Sequence, residues 1–475
     1  MTAKKEDGTM PENGAVTEQN IKELTSIVGL HNIITTENEM DAYSYDENPD
    51  GERYFPGAVV KPEDGETVGR VLAYAAENGI PVIPRGAGTG LNGGCVAMYG
   101  GIVLSLERMN KILDINRENF TAVVEPGVTL ADLIARVEEQ GLYYPLYPGE
   151  MSATIGGTIA TNAGGMNAVK YGVTRNNVLG LEAALASGEI IKTGGEFVKC
   201  SSGYDLTQLI IGSEGTLAVV TKIILKLTTK PARREVLFAP FSSLQSAIDA
   251  VPEILSLRMT PIGIEFMEQD IFRIVEAYTG EQIPYRENAY LMIIMEGDTE
   301  DEILDYFGSV EEICARLGSK EAMVAGSETD RRALLELREG FYHSIKRQGP
   351  LELIDIVVPR SSIARFVKKV KEISEEYGID VIAYGHAGDG NVHLHPICRD
   401  MDRGEWDRKL PDLMKEIYKA GVSFGGAISG EHGIGAGKKA YLPVQLDEPL
   451  MNTMRAIKKA FDPANILNPG KIFDL

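Results

Sequence analysis

Glycine is so dense between Pro84 and Gly94 that neither helix nor strand can continue through the segment. Upstream, a helical pattern over residues 66–78 closes at Gly79, and Ile80-Pro-Val-Ile83 reads as a strand entering the loop. Within it, Gly88-Thr-Gly90-Leu-Asn-Gly93 matches G-x-G-x-x-G, the string of a dinucleotide-binding turn. Such a turn must open a helix whose N-terminus faces a pyrophosphate, yet here Gly100-Gly101 follow and then Ile102-Val-Leu-Ser-Leu106, a strand. A doubly wound dinucleotide fold is therefore rejected. The loop is read instead as a run of backbone N–H groups that cup an anionic pyrophosphate without a helix. A second region repeats the signal with Pro148-Gly149, Thr154-Ile-Gly-Gly157, Ala160-Thr-Asn-Ala-Gly-Gly165 and Tyr171-Gly172. Small residues at nearly every position pack a core poorly and let backbone approach a flat, extended ligand. A hairpin over residues 181–193, turning at Ser187-Gly188, leads to Gly212-Ser-Glu-Gly215-Thr-Leu-Ala-Val-Val220, another loop that enters a strand.

Three of the six histidines lie in Tyr384-Gly-His-Ala-Gly-Asp-Gly-Asn-Val-His-Leu-His395. Residues 380–384 and 392–397 read as strands, and Asp389-Gly390 is a preferred two-residue hairpin turn. Centred there, the hairpin pairs His386 directly with His393, with Cβ atoms roughly 5 Å apart, close enough for two imidazoles to share one ion. His395 shares the face of His393. Downstream, Ser429-Gly-Glu-His-Gly433 offers a carboxylate and a fourth histidine in a glycine-framed loop able to close over the same point. Two imidazoles and one carboxylate leave coordination positions open, as a catalytic metal requires.

The 475 residues suffice for two or three domains, and 44% apolar with 24% charged content is ordinary for a globular chain. A net charge of −22 argues against nucleic acid, which needs a positive surface. Cys95, Cys200, Cys314 and Cys398 are scattered, which excludes a cysteine-ligated iron–sulfur cluster within this chain. No run approaches a membrane span and no signal peptide is visible, so a cytoplasmic location is expected. Residues 1–18 read as a frayed tail and are followed by an amphipathic helix carrying Ile21, Leu24, Ile27 and Val28. Beyond residue 233, strands near 235–241, 263–267, 290–295 and 353–359 alternate with helices near 244–257, 300–317, 330–347 and 361–377. That pattern predicts an α+β unit with an antiparallel sheet and helices on one face, closed by the histidine hairpin.

Pro84-Arg-Gly-Ala-Gly-Thr-Gly-Leu91, Pro148-Gly149, Thr154-Ile-Gly-Gly157, Ala160-Thr-Asn-Ala-Gly-Gly165 and Gly212-Ser-Glu-Gly-Thr-Leu217 together resemble the FAD domain of the vanillyl-alcohol oxidase and p-cresol methylhydroxylase superfamily. Gly385-His-Ala-Gly-Asp-Gly-Asn-Val-His393, Gly430-Glu-His-Gly433 and the stretch from Asp462-Pro to Leu467-Asn-Pro-Gly-Lys471 resemble its glycolate oxidase and D-lactate dehydrogenase branch. The likeness runs from about residue 40 to 473. It implies an α+β fold: a tail and helix over 1–40, a two-subdomain FAD-binding domain over 41–231, an α+β cap over 232–425 and a segment returning to the flavin over 426–475. Implied FAD contacts are Arg85, Gly86, Ala87, Gly88, Thr89, Gly90, Leu91, Pro148, Gly149, Thr154, Gly156, Gly157, Ala160, Asn162, Gly164, Gly165, Glu214, Gly215, Val220 and Asn468, with the pyrophosphate on residues 85–90. Some superfamily members attach FAD through a histidine beside the glycine loop. Here Asn92 and Cys95 stand nearby and no histidine does, so FAD is expected to be dissociable.

By the same resemblance His386, His393 and Glu431 hold one divalent metal, with iron, zinc and manganese not distinguished, and His432 is the catalytic base. Arg338 matches an arginine that grips the substrate carboxylate, Tyr342 lies a turn further on, and His395 touches substrate or supports a ligand. Lys471 lies in the tail that returns to the flavin. In resembling D-2-hydroxyglutarate dehydrogenases a lysine near residue 353 holds a second carboxylate. This strand reads Leu351-Glu-Leu-Ile-Asp355, which favours D-lactate. The implied reaction takes a D-2-hydroxy acid to a 2-oxo acid with hydride to flavin N5. Electrons then pass to a partner such as an electron-transfer flavoprotein, and some relatives couple lactate oxidation to NAD and ferredoxin. The alternatives are a glycolate oxidase component that hands electrons to an iron–sulfur subunit or quinone, and a non-catalytic flavin- or metal-binding subunit.

Overall fold

The computed structural model describes residues 15–49, 51–279, 287–399 and 401–475. Most of the expected tail lies outside the described residues; Glu18–Val28 is helical, with Thr17 capping its first turn and Leu24 and Val28 turned inward. The first half holds two sheets. In the smaller one, Ile33–Ile34, Ala58–Val60, Ile102–Ser105 and Val82–Arg85 lie in that order, the last three mutually parallel. The helix Gly65–Asn78 covers this sheet and ends at Gly79 in the left-handed region (φ +62°), as glycine permits. No helix follows the glycine loop before Ile102–Ser105, so the expected strand-to-strand passage is present. The larger sheet is antiparallel, ordered Ile112–Asn116, Thr121–Val124, Val219–Lys226, Val178–Ala184 and Ile190–Gly194.

The second half is built on one seven-stranded antiparallel sheet, ordered Met323–Val324, Arg233–Phe241, Ala289–Gly297, Gly263–Glu268, Asp380–His386, Asn391–Ile397 and Ile354–Val357. The four expected strands and the helices Leu244–Leu255, Glu300–Arg316 and Ile363–Tyr377 are all present. Two expectations are corrected. The helix near 330–347 is broken at Gly340 into Glu328–Glu339 and Phe341–Lys346. Helices also cover both faces of the sheet. One face buries Ile264, Phe266, Leu291 and Ile293 beneath Leu244–Leu255, Ile363–Tyr377 and Arg403–Ser423. The other packs Phe238, Tyr290 and Met292 against Phe272 of Gln269–Thr279 and Phe341 of Phe341–Lys346.

The histidine hairpin also departs from its expected register. His386 pairs with Asn391, and it is Tyr384 that faces His393, so the connection is the four residues Ala387–Gly-Asp-Gly390 rather than Asp389-Gly390 alone. The reason is tertiary. Inside the sheet the loop bonds to both flanks: Gly388 N–H donates to Ile264 O (3.0 Å), and Gly390 O accepts from Val358 N–H (3.0 Å). Those bonds outrank the local turn preference.

The chain ends by returning to the first sheet. Val82 donates to Ile466 O (2.7 Å) and accepts from Asn468 N–H (2.8 Å), beside a parallel bridge to Leu467. Gly390 sits at φ +98°, and a Cβ there would meet Val358 O at 2.1 Å. Gly390→Ala is therefore expected to cost at least about 2 kcal/mol, read as a lower denaturant midpoint at unchanged slope.

Candidate active site

The loops of the first half line an open cleft. Sixteen of the residues expected at the flavin line it: Arg85, Gly86, Ala87, Gly88, Thr89, Gly90, Leu91, Pro148, Thr154, Gly156, Gly157, Ala160, Gly164, Glu214, Gly215 and Val220. Gly149, Asn162, Gly165 and Asn468 fall outside that lining, while Leu106, Pro126, Ser213 and Val219 join it without having been anticipated. The walls are tight where glycine stands. A Cβ on Gly86 would meet Thr154 Oγ1 at 2.2 Å, and one on Gly156 would meet Pro126 Cβ at 2.7 Å. Walls of small residues suit a flat, extended cofactor.

Some expected contacts have other duties. The Arg85 guanidinium turns away to donate to Tyr45 O (2.8 Å) and Ala42 O (3.0 Å), so the loop offers backbone there rather than that charge. Asn468 Nδ2 ties Gly94 O (2.8 Å) to Glu214 O (2.7 Å). The Glu214 carboxylate accepts from Ile434 and Gly435 N–H at 2.8 and 2.7 Å. Lys471 is buried and donates to Val96 O (3.0 Å), and burial pulls its ammonium down to about 8.

Glu431 and His432 line the same cleft and also meet the hairpin. His386 Nε2 and His393 Nε2 are 3.3 Å apart, and Glu431 Oε1 lies 3.5 Å from the first and 3.4 Å from the second. A triangle with these sides has a circumradius of about 2.0 Å. An ion at the usual ~2.1 Å from each atom would thus subtend angles near ~109°, with a tetrahedral position left open. The donor set fits a divalent ion, and the expected trio is brought together.

The trio is held by groups the sequence reading missed. His386 Nδ1 lies 2.6 Å from Glu265 Oε1, which fixes Nε2 toward Glu431. Glu265 is fully buried, and its other oxygen accepts from Arg338 Nε (2.8 Å) and Nη2 (2.7 Å). Burial alone would push the Glu265 carboxyl up, but His386 and Arg338 outweigh it and hold it below its usual range. Burial opposes charge on His386 too, yet Glu265 and Glu431 raise it well above the ordinary imidazole value. The field that favours a proton there also favours a metal cation. Arg338, expected on the substrate carboxylate, is thus engaged first with Glu265, stacked 4.6 Å over the Tyr384 ring, and its Nη1 stands outside that pair.

Asp355 is the second missed anchor. Its Oδ2 accepts from the N–H groups of Gly430 (2.9 Å), Glu431 (3.0 Å) and His432 (2.9 Å) and from Ser429 Oγ (2.9 Å), while Oδ1 accepts from Asn391 Nδ2 (2.8 Å). The turn is delivered by the edge strand, since Val357 and Ala427 exchange both backbone bonds. Despite burial, His432 and Lys438 hold the Asp355 carboxyl well below its usual range. His432 stacks on His393 (centroids 5.3 Å, 18°), and burial lowers its imidazole. His395 stacks on Tyr384, whose hydroxyl is 3.0 Å from Nε2, and burial takes it to about 3. Tyr342 lies 6.0 Å from His395, and its hydroxyl makes no hydrogen bond. A lone acid inside Leu353-Ile-Asp-Ile-Val357, and Glu265 inside Ile262-Gly-Ile-Glu-Phe-Met267, were the available signals.

Residues 56–194 match the family described as an FAD binding domain, and residues 230–472 match FAD linked oxidases, C-terminal domain. The chain belongs to the FAD-linked oxidases, in the branch that holds glycolate oxidase subunit GlcD and D-lactate dehydrogenase. It is 39% identical to glycolate oxidase subunit GlcD of Bacillus subtilis (strain 168), over 96% of this chain and 97% of that one. It is 42% identical to D-lactate dehydrogenase of Archaeoglobus fulgidus, over 91% of this chain and 95% of that one. The crystal structure of p-cresol methylhydroxylase with substrate bound superposes with a TM-score of 0.80 at 19% identity, covering 97% of this chain and 98% of that one. That likeness concerns the fold. No helix among the described residues is long and apolar enough to cross a membrane.

Asp355→Ala would strand four donors of the Ser429–Gly433 turn and remove the carboxylate that stands 3.7 Å from Lys438 Nζ. The expected loss of stability is about 3–5 kcal/mol, measured by denaturant unfolding of the purified protein.

Proposed function

We propose that the chain is a dehydrogenase, dependent on non-covalent FAD and one divalent metal ion, that oxidises a D-2-hydroxy acid, D-lactate to pyruvate, and passes electrons to a partner such as an electron-transfer flavoprotein. The observation that carries this reading is that Glu431 and His432, adjacent in sequence, line the small-residue cleft while Glu431 also completes a three-atom ligand set with His386 and His393. Residues 41–231 would then form the cofactor-binding domain, 232–425 the cap and 426–475 the returning segment.

His386, His393 and Glu431 would hold the ion. When bound, FAD supplies a hydride acceptor at N5, and the ion supplies a positive charge that acidifies the substrate hydroxyl. His432 accepts the hydroxyl proton, since its lowered pKa keeps the imidazole neutral at pH 7. Loss of that proton from oxygen and of hydride from the α-carbon leaves a 2-oxo acid. Arg338 would bind the carboxylate through Nη1, with Tyr342 and His395 beside the remaining substituent.

The surroundings favour a small monocarboxylate. His395 is neutral, the charge of Arg338 is matched by Glu265, and Lys346 near Tyr342 is matched by Glu47 (3.7 Å). The strand Ile354–Val357 is preceded by buried Leu351 and Leu353 where a cation would serve a second carboxylate. Identity to the Bacillus subtilis glycolate oxidase protein, comparable to that with the dehydrogenase, supports glycolate as the second reading.

Mixed anaerobically with each enantiomer of lactate and with glycolate, the FAD-loaded protein is expected to bleach fastest with D-lactate. Faster bleaching by glycolate would select the second reading, and no bleaching by any of the three would overturn both. His393→Ala is expected to lose bound metal by elemental analysis while keeping its yellow FAD and losing at least about a hundredfold in flavin-reduction rate. Full activity in that variant would refute the ligand set.

A further inference from the structure

Three lysines are buried among the described residues, and two of them are held by hydrogen bonds. Lys458 donates to Thr216 O (2.8 Å), to Leu467 O (2.9 Å) and to Asp462, and Lys471 donates to Val96 O (3.0 Å). Lys438 is different. It is 1% exposed, its Nζ makes no hydrogen bond, and Asp355 Oδ2 stands 3.7 Å away, too far for one. A lysine placed this way contributes a charge and no donor geometry.

We propose that Lys438 is a positioning residue: it is the counter-charge of Asp355, and through that carboxylate it fixes the turn that carries Glu431 and His432. The inference rests on the reading of that turn as catalytic. Asp355 has no exposure, and every group hydrogen-bonded to it is neutral: three amides, a serine hydroxyl and an asparagine amide. Neutral donors alone offset the burial of a full negative charge poorly; an adjacent cation completes the balance. Lys438 lies six residues beyond His432 on the same segment, so the turn and its counter-charge are carried together. With the lysine removed, the buried carboxylate has no cation beside it and is expected to draw in water, which releases amides from Oδ2.

The test separates charge from packing. Lys438→Met keeps the length of the side chain and removes the charge. Asp355→Asn removes the opposite charge and is accommodated locally, because Asn391 Oδ1 makes no hydrogen bond and a flip of that amide accepts the new Nδ2–H group. In FAD-loaded protein, Lys438→Met is expected to speed hydrogen exchange of the Gly430, Glu431 and His432 amides at least about tenfold, with the histidine hairpin unchanged. Adding Asp355→Asn should bring exchange back to within about threefold of the parent. The rate of flavin reduction should follow the same pattern, with KM changed less than about threefold.

Unchanged exchange in Lys438→Met, or single and double variants that exchange equally fast, would overturn the proposal. If Lys438→Met does not fold, folding of the double variant supports the pairing and its failure to fold refutes it. The exchange readout stands even if no hydroxy acid reduces the flavin, so failure of the functional reading and failure of this inference are distinguishable.

Discussion

The site depends on a single buried carboxylate. Ser429–Gly433 has no regular secondary structure, and its three consecutive amides point inward with no ladder to receive them. Unpaired, each would cost about 1–3 kcal/mol, and together they would outweigh the packing of so small a turn. Asp355 receives all three at Oδ2, and in doing so forces the side chains of neighbouring residues to diverge. Glu431 then reaches the imidazoles while His432 stacks beside them and faces the cleft. Glu431 and His432 can be adjacent in sequence and face different neighbours because the backbone between them is pinned from behind.

The glycine loops of the first half hold the same segment from the other side. Asn92 Nδ2 donates to His432 O (2.9 Å) and Gly433 O (3.1 Å), and Glu214 receives the next two amides. Gly435 is required for that contact: its φ is +53°, and a Cβ would meet Asn92 O at 2.1 Å. Gly164 likewise lets Glu431 approach the cleft wall, where a Cβ would meet Oε2 at 2.7 Å. The wall that would contact a cofactor and the turn that would act on substrate are therefore braced as one body. Displacing the loop at residues 86–93 would displace His432.

Much of this was legible because it is written in local chemistry. Glycine density announced the cleft, and the strand after Gly101 ruled out a helix-opening dinucleotide turn. The hairpin was read with its register wrong by two, yet His386 and His393 still meet. Side chains alternate with period two, so a slip of two keeps every residue on its face and converts direct opposition into a diagonal contact. Gly149, Asn162, Gly165 and Asn468 lie outside the cleft lining because a loop motif does not say which of its residues face the cavity and which face the scaffold. The pairings of Glu265 and Asp355 were invisible for a different reason. Their partners lie 121 and 75–77 residues away, and no spacing rule in a single sequence reports such pairs.

Arg338 shows how a role inferred from position changes once its partner is seen. A guanidinium near a hydroxy acid invites assignment to the substrate carboxylate, but here two of its nitrogens already meet Glu265 Oε2. Glu265 in turn holds His386 by Nδ1, so arginine, glutamate and imidazole form one hydrogen-bonded row that ends at His386 Nε2. Arg338 thus orients His386 whether or not it also touches substrate. Removing it would loosen Glu265, and a freed Glu265 would let the His386 ring turn. A defect in an arginine variant therefore cannot by itself assign the arginine to substrate. Only a loss of substrate binding with metal content intact isolates the contact made through Nη1 from the orientation supplied through Nε and Nη2.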